Sequence, residues 1–199
     1  MKTFWNERYQ HQDYVYGTQP NLFFEEQLAL IPHPGRILLP CEGEGRNAVF
    51  AAKSGWEVDA FDYSESGKIK ALQLAQKESV NITYAISDAL HFDFGMEKYD
   101  VVAFIFAHFA PELRTEIHQK AILSLKPGGR IIIEAFNPWQ LNNKSGGPKD
   151  LSMLYTEKIL NLDFQKLDIR ILETKVIELD EGLYHRGKAD VIRLVAIKK

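Results

Sequence analysis

Two glycines stand between a short apolar run and a helix-like segment. The order is the apolar run 37–39, the turn with Gly43 and Gly45, and a helix-like segment from Gly45 to Ser54 that ends at Gly55. Glycine permits the tight turn and the close backbone approach that such a junction needs. The first N–H groups of the following helix face the same crevice. The pattern predicts a βα unit with a ligand site at its turn.

Strand-like and helix-like segments continue to alternate beyond this turn. The periodicity predicts strands near 56–61, 82–86, 101–106 and 131–133, and helices over 64–78 and from Pro111 to the Pro127-Gly128-Gly129 stop. The first of these helices is expected to bury Ile69, Leu72 and Ala75. Such alternation is typical of a parallel sheet with helices on both faces. We therefore expect an α/β fold, a Rossmann-like doubly wound sheet in three αβα layers.

The two ends of the chain break this alternation. Residues 1–31 are rich in aromatic side chains and are expected to hold one or two helices, and 137–152 reads as a loop or flexible insertion. Strand-like stretches at 167–179 and 189–198 flank Asp180-Glu181-Gly182, which predicts an antiparallel pair at the end of a mostly parallel sheet. The expectation is a single domain over 1–199. Its parts are an N-terminal helical lid (1–31), a cofactor-binding core (35–136) and a substrate-side loop, helix and hairpin (137–199).

Charge and cysteine content narrow the class of protein. With 24 Lys+Arg and 27 Asp+Glu the net charge is −3, so no nucleic-acid partner is expected. Cys41 is the one cysteine and can form no internal disulfide, which favours a reducing, cytoplasmic location. The longest apolar run, Val101 to Ala107, is too short for a membrane helix, and charges replace the apolar stretch of a signal peptide near the N-terminus. We expect a monomer or weak homodimer.

An acidic residue, Asp62, ends the second predicted strand and is followed by Tyr63 and Ser64. A carboxylate there can accept hydrogen bonds from both ribose hydroxyls of an adenosine cofactor. The alternative is an ordinary βα turn with a surface Asp, but strand, glycine turn, helix, strand and acid in this order favour a nucleoside site. Gly43-x-Gly45-x-x-Ala48 also satisfies the dinucleotide pattern, so an NAD(P)-dependent oxidoreductase is an alternative, although Tyr63 is followed four residues later by Gly67 and not by the Lys of a Tyr-x-x-x-Lys pair.

With the glycine loop and Asp62, two further motifs carry a family resemblance over nearly the whole chain. Ser87-Asp88-Ala89-Leu90 follows the third predicted strand, and Lys126-Pro127-Gly128-Gly129 precedes the fifth. The chain resembles class I S-adenosylmethionine-dependent methyltransferases. The resemblance implies S-adenosyl-L-methionine as cofactor, a reversed last strand, and Asp88 near the adenine amino group. The residues implied for the cofactor are Cys41, Glu42, Gly43, Gly45, Asn47, Asp62, Tyr63, Ser64, Asp88, Ala89, Leu90 and Phe106.

More narrowly, the chain is similar to small tellurite-resistance and thiopurine-type methyltransferases, in Glu44-Gly45-Arg46-Asn47 and in Tyr184-His185-Arg186. Two positions depart from the family pattern: Leu39 replaces the usual acid and Cys41 the usual first glycine. Glu42 either replaces the missing acid as partner of the cofactor's amino group or faces solvent. Cys41 is expected to be a small buried residue rather than a nucleophile.

The implied reaction is methyl transfer to a small-molecule acceptor, such as a thiol, a thiopurine-like compound or a chalcogen species. In-line displacement at a sulfonium needs positioning, no metal, and little or no general base. The resemblance implies that His185 and Arg186 lie at the active site, where Arg186 could hold an anion and His185 orient or deprotonate the acceptor; solvated hairpin charges are the alternative. His108 is either a base or substrate contact, or a packed histidine bonded to backbone.

Four aromatic residues before the first strand, Trp5, Tyr9, Tyr14 and Tyr16, suggest a lid that shapes the substrate pocket. The alternative is that these rings only anchor the N-terminal segment to the core. A third possibility for the whole chain is a non-catalytic module that binds S-adenosylmethionine and regulates a partner.

Overall fold

Seven strands form one mixed sheet in the computed structural model, which describes residues 2–199. In chain order the strands are β1 (Arg36–Pro40), β2 (Glu57–Asp62), β3 (Thr83–Ile86), β4 (Tyr99–Ile105), β5 (Leu125–Phe136), β6 (Asp168–Asp180) and β7 (Arg186–Ile197). They lie across the sheet in the order β3-β2-β1-β4-β5-β7-β6. The first five run parallel, and β7 is antiparallel to both β5 and β6. The predicted fold class is confirmed.

Six α-helices accompany the strands within the described part of the chain. They are α1 (Lys2–Tyr9), α2 (Leu22–Ala29), α3 (Arg46–Lys53), α4 (Glu65–Lys77), α5 (Pro111–Ser124) and α6 (Glu157–Phe164). The predicted loop after β5 contains two short 3-10 helices, Pro138–Asn142 and Leu151–Met153. Helix α5 ends before the predicted Pro127-Gly128-Gly129 stop, because Leu125 already pairs with Tyr99 of β4.

The central strands are buried on both faces, as their apolar runs predicted. Successive side chains of a strand point to opposite faces, so Ile131 and Ile133 pack on one side of the sheet and Ile132 on the other. Helices α5 and α6 cover the first side, and α2, α3 and α4 cover the second. This arrangement gives the three predicted layers.

The buried face of α4 differs from the prediction. Ile69 and Leu72 are 52% and 40% exposed, whereas the small residues Gly67 and Ala71 are buried. The reason is close packing against the glycine turn: a Cβ at Gly45 would lie 2.6 Å from the Cβ of Ala71. The helix therefore presents small side chains to the site and leaves two of its large ones in solvent.

No helix within residues 2–199 is both long enough and apolar enough to span a membrane.

Candidate functional site

The strand order reverses between β1 and β4, and ligands of open α/β sheets bind at such a point, outside the carboxyl ends of the strands. Both of these strands end in a strained backbone. Cys41 follows β1 with φ 57° and Phe106 follows β4 with φ 53°. A non-glycine residue in the left-handed region is uncommon and tends to cluster at functional sites. The two outliers mark this edge of the sheet as the candidate site.

Asp62 ties the glycine turn to the start of α4. Its buried carboxylate accepts the N–H of Gly43 at 3.3 Å through Oδ2 and the N–H of Ser64 at 2.8 Å through Oδ1. Burial raises the pKa of Asp62 to about 6 against these hydrogen bonds. Tyr84 adds a hydrogen bond from its hydroxyl to the carbonyl of Gly43 at 2.6 Å. The turn is thus held from two strands.

The glycines of the turn sit where other parts of the chain approach closely. Gly43 has φ 63°, and a Cβ there would lie 2.5 Å from the hydroxyl of Tyr9. Gly45 has φ 89° and packs against Ala71 of α4. Their positive φ values satisfy the conformational requirement that the sequence pattern predicted.

Of the two alternatives stated for Glu42, exposure to solvent does not describe its carboxylate. Its Oε1 accepts the N–H of Ala48 at 2.8 Å, so the carboxylate satisfies an orphan donor in the first turn of α3 rather than facing solvent. Burial raises the pKa of Glu42 to about 7 despite that hydrogen bond and the charge of Arg46. The side-chain carbonyl of Asn47 accepts the N–H of Asn21 at 2.9 Å, so this predicted cofactor residue anchors the segment before α2.

The segment after β3 presents a carboxylate at the surface. Asp88 is exposed and accepts the N–H groups of Leu90 and His91 at 3.0 and 2.9 Å. Ala89, which stands between Asp88 and Leu90, is buried, and its backbone N–H has no hydrogen-bond partner within residues 2–199. The carbonyl of Leu90 accepts a hydrogen bond from Lys120. This segment keeps a free donor and a carboxylate side by side.

Cys41 is half-buried between these elements. Burial and the nearby carboxylates of Asp62 and Asp88 raise the pKa of its thiol well above the ordinary value. The thiol is therefore protonated near neutral pH, which fits a small packing residue rather than a nucleophile.

Helix α1 covers the turn with aromatic side chains. Trp5 stacks on Tyr9 with ring centroids 5.4 Å apart, and Tyr16 lies 6.3 Å from each of them. The side chain of Asn6 accepts a 2.8 Å hydrogen bond from Ser64. Three of the four predicted lid residues thus meet over the site.

Tyr14 is the exception. Its hydroxyl donates to the carbonyl of Lys70 at 3.0 Å, and its ring packs with Val49, Leu74 and Ala75. The anchoring alternative describes this residue, and the structure does not bring it to the other three.

An ion pair that was not predicted holds the N-terminal segment. Glu44 pairs through Oε1 with Nζ of Lys70 at 2.7 Å, and its Oε2 accepts the N–H groups of Val15 at 2.9 Å and Tyr16 at 3.3 Å. Lys70 also donates to the carbonyl of Asp13 at 2.7 Å. Glu44, between the two glycines of the turn, thereby holds the backbone of the N-terminal segment that carries Tyr16.

His185 lies inside the site, within a group of rings that we call the aromatic cluster. The cluster comprises Tyr16, Phe106, Phe136 and His185. The His185 ring centroid is 4.5 Å from that of Tyr16, 4.6 Å from that of Phe106 and 5.4 Å from that of Phe136. Phe106 thus joins this cluster, and it stacks on Phe136 at 4.6 Å. The glycines of the 137–152 loop border it, since a Cβ at Gly146 would lie 2.8 Å from Cδ2 of His185.

Arg186 does not lie in the aromatic cluster with His185. Its side chain is 80% exposed, and its nearest carboxylate, that of Asp180, is 3.8 Å away. It borders an open cavity of about 510 Å3 together with His11 and Asp13, and no residue of the glycine turn lines that cavity. His185 lies in the turn just before β7, whereas Arg186 is the first residue of that strand. The structure therefore brings His185 but not Arg186 to the aromatic cluster. It is the solvated alternative that describes Arg186.

His108 has the geometry of the packed alternative. Its Nδ1 donates to the carbonyl of Met153 at 2.8 Å, and its Nε2 accepts the N–H of Phe136 at 3.2 Å. Burial lowers the pKa of His108 to about 4. Both ring nitrogens are engaged with backbone, so neither is available to take a proton from an acceptor in this arrangement.

A buried polar network behind the cluster was also missed. Glu181 accepts hydrogen bonds from Arg46 at 2.8 Å, Asn21 at 2.9 Å and His185 at 3.3 Å. Asn21 also donates to Glu134 at 2.6 Å. The network links residues more than a hundred positions apart. The only signal in the sequence was Arg46 within the stretch that resembles tellurite-resistance enzymes.

Part of the chain matches a known protein family. Residues 37–129 match the family described as a methyltransferase domain. No curated protein sequence matches the chain. The matched stretch contains the glycine turn, Asp62, Asp88 and Lys126-Pro127-Gly128-Gly129.

Solved structures share the fold at low identity. TehB from Haemophilus influenzae is 19% identical, covers all of this chain and 67% of its own, and superposes with a TM-score of 0.73. Magnesium protoporphyrin IX methyltransferase from Synechocystis PCC 6803, with bound S-adenosylmethionine, is 17% identical over 100% of this chain and 95% of its own, with a TM-score of 0.70. The 1,6-didemethyltoxoflavin-N1-methyltransferase from Burkholderia thailandensis, with its substrate and S-adenosylhomocysteine bound, is 19% identical over 88% and 76% of the two chains, with a TM-score of 0.66.

The match over 37–129, which is less than half of the chain, and the shared fold agree with the resemblance to class I S-adenosylmethionine-dependent methyltransferases. The cofactor predicted from the sequence agrees with the molecules bound in two of the neighbours. The matched family is described as a methyltransferase domain and not as a nicotinamide-dependent one, which favours the methyltransferase prediction over the oxidoreductase alternative.

Proposed function

From a methyltransferase domain over residues 37–129, we propose that this chain transfers the methyl group of S-adenosyl-L-methionine to a small-molecule acceptor. The observation that carries the proposal is the buried Asp62 carboxylate, which ties the left-handed glycine turn to the start of α4 at the point where the strand order reverses. That placement suits a carboxylate that accepts the ribose hydroxyls of an adenosine cofactor.

The residues around the turn fit the cofactor in charge and in hydrogen-bonding capacity. Asp88 and the unpartnered N–H of Ala89 offer the acceptor and the donor that an adenine edge requires. The carboxylates of Glu42 and Asp62 surround the turn with acceptors for the cofactor's amino and hydroxyl groups. When bound, S-adenosylmethionine supplies an electrophilic methyl group on a sulfonium.

The acceptor site of this proposal is the aromatic cluster. Its rings offer an apolar, partly enclosed surface for a small acceptor body. The neighbour with bound 1,6-didemethyltoxoflavin supports a small-molecule acceptor in this fold. We propose a thiol, thiopurine-like or chalcogen acceptor, because such soft nucleophiles displace at a sulfonium once the reacting atoms are positioned in line.

The three parts of the chain have separate tasks in this proposal. Residues 1–31 act as the lid, 35–136 hold the cofactor, and 137–199 supply the acceptor side. The ion pair of Glu44 with Lys70 supports the lid assignment, because it seats the Tyr16 backbone on the glycine turn.

Separate calorimetric titrations of S-adenosylmethionine, S-adenosylhomocysteine and NADH into ligand-free protein test the cofactor. We expect binding of the first two and no heat from NADH. Absence of binding by both sulfur compounds would contradict the proposal. Tight binding without turnover across a broad panel of nucleophiles would instead favour the regulatory-module alternative.

A further inference from the structure

The carboxylate of Glu181, in the turn between β6 and β7, contacts Nδ1 of the His185 imidazole. Oε2 of Glu181 lies 3.3 Å from Nδ1 of His185 and 2.8 Å from the guanidinium of Arg46. Its Oε1 accepts the side-chain N–H of Asn21 at 2.9 Å. Arg46 and His185 are each less than a tenth exposed. The carboxylate is therefore fixed by three partners from three different parts of the chain.

The state of the carboxylate decides which nitrogen of His185 carries the proton. Burial alone would raise the pKa of Glu181, but the hydrogen bond from His185 and the charge of Arg46 lower it to about 2. An ionised carboxylate only accepts hydrogen bonds. The proton of the neutral imidazole therefore resides on Nδ1, and Nε2 carries a lone pair.

Nε2 of His185 is the nitrogen left for chemistry. It has no hydrogen-bond partner within residues 2–199. Gly146 lies next to this nitrogen, because a Cβ at that glycine would be 3.2 Å from Nε2. The rings of Tyr16 and Phe106 flank the imidazole. The lone pair therefore belongs to the aromatic cluster, the proposed acceptor site.

We infer that Glu181 is a positioning residue that keeps His185 oriented as a proton acceptor, and that the methyl acceptor enters this site still carrying its proton, as a thiol does. The inference rests on the proposed function and deepens it. A permanently anionic acceptor would make no use of a free imidazole lone pair backed by a carboxylate.

The step balances with these groups alone. The proton of the S–H group passes to Nε2 of His185 as the new sulfur–carbon bond forms. The carbon–sulfonium bond breaks and its electron pair stays on the departing sulfur, which becomes neutral. The imidazolium, stabilised by Glu181, then releases its proton to solvent.

Several groups face His185 and set its protonation. Burial lowers the pKa of the imidazole, the hydrogen bond and charge of Glu181 raise it, and the charges of Arg46 and Arg8 lower it, so that it lies below the ordinary value. His108 and Tyr16 also lie near the ring. At neutral pH His185 is therefore the unprotonated form that a proton acceptor needs.

Glu181→Gln tests the inference, with Asp180→Asn as its control. Asp180 is the preceding residue, and its side chain is 87% exposed. Imidazole NMR of the ligand-free protein, with the signal of His185 assigned by its loss in His185→Phe, reports the tautomer and the pKa directly. We expect the Nδ1–H tautomer in the wild type, a fall in the pKa of His185 in Glu181→Gln, and no change in Asp180→Asn. An Nε2–H tautomer, or an unchanged pKa in Glu181→Gln, would overturn the inference.

Methylation assays with two thiols then distinguish the loss of a base from the loss of acceptor binding. 2-Phenylethanethiol is protonated at neutral pH, whereas 4-nitrothiophenol is already ionised. Glu181→Gln should lower methylation of the first by roughly 100-fold and leave that of the second nearly unchanged. An equal loss for both thiols would overturn the positioning role, and methylation of neither thiol would overturn the acceptor class.

Calorimetry with S-adenosylhomocysteine accompanies these assays. Binding that is retained in Glu181→Gln assigns the loss to His185. Absence of binding in the wild type would mean that the proposed function itself has failed.

Discussion

Nζ of Lys70 lies 2.7 Å from Oε1 of Glu44, and this pair seats the N-terminal segment on the glycine turn. The two side chains are 11% and 2% exposed, so the pair is buried. Through Oε2 the same carboxylate accepts the backbone of Val15 and Tyr16. The pair joins the glycine turn and α4 to the N-terminal segment. Its loss is therefore expected to loosen that segment and to destabilise the protein.

Lys70→Met should be strongly destabilising. It leaves Glu44 as an uncompensated buried carboxylate, at a cost of about 3 kcal/mol, which lowers the melting temperature by roughly 6–12 °C. Adding Glu44→Gln removes the stranded charge and should restore part of the loss, as thermal unfolding will show. Equal melting temperatures for wild type and Lys70→Met would contradict the buried pair.

His108 predicts a pH dependence of stability. Its folded-state pKa is lowered to about 4 by burial, while the unfolded value is about 6.5. Between these values only the unfolded state binds the proton, so the stabilising contribution is complete above pH ~6.5 and disappears as the pH falls to about 4. The loss is expected to reach up to about 3 kcal/mol.

Urea unfolding between pH 4 and 8 measures this dependence. His108→Phe should be less stable at pH 7, because it loses the hydrogen bonds to Met153 and Phe136, yet it should lose less stability on acidification. A variant whose pH profile runs parallel to that of the wild type would contradict the assignment to His108.

Gly146→Ala should impair turnover more than cofactor binding. The added Cβ would lie 2.8 Å from Cδ2 of His185 and from the carbonyl of Tyr184, at a φ of 109°. Gly128→Ala is the matched control, since Gly128 also has a positive φ of 79° but has nothing within 4 Å of an added Cβ. We expect slower methylation of 2-phenylethanethiol in Gly146→Ala and not in Gly128→Ala. Both variants should retain their affinity for S-adenosylhomocysteine. Identical turnover in the two variants would show that Gly146 does not shape the site.

Arg186→Ala should change little. Its side chain is 80% exposed and makes no ion pair shorter than 3.8 Å. Substitutions at such surface positions usually alter stability by less than about 0.5 kcal/mol. Turnover and S-adenosylhomocysteine affinity are expected to match the wild type. A large drop in turnover would restore the role that the sequence suggested for this arginine.

Local patterns in the sequence predicted the fold and the conformation of the glycine turn. The glycine turn, the strand that ends at Asp62 and the hairpin around Glu181 are each encoded within about twenty residues, so periodicity and turn chemistry suffice. The face of α4 was mispredicted because close packing on Gly45 selects Ala71 over a larger apolar residue. Hydrophobic periodicity does not record such a steric demand.

The acceptor side depends on contacts between distant residues. Glu181 meets Asn21 across 160 positions of the chain and Arg46 across 135. Nothing in a local window reports such pairs. His185 lies in the turn before β7 and Arg186 begins that strand, so the path of the turn decides which of the two side chains reaches the aromatic cluster. That path depends on the register in which β7 pairs with β5 and β6.

The central claim is that Asp62 holds the cofactor, and calorimetric titration of S-adenosylhomocysteine into Asp62→Asn and Asp59→Asn tests it most directly. Both carboxylates are buried on β2, but Asp59 pairs with Arg36 and Lys98, away from the glycine turn. Asp62→Asn places an amide N–H against a backbone donor and loses charged hydrogen bonds of about 1.5–3 kcal/mol, which weakens binding roughly ten- to a hundredfold. We expect that loss in Asp62→Asn alone, with Asp59→Asn less stable but binding normally. Equal affinity in wild type and Asp62→Asn would contradict the account.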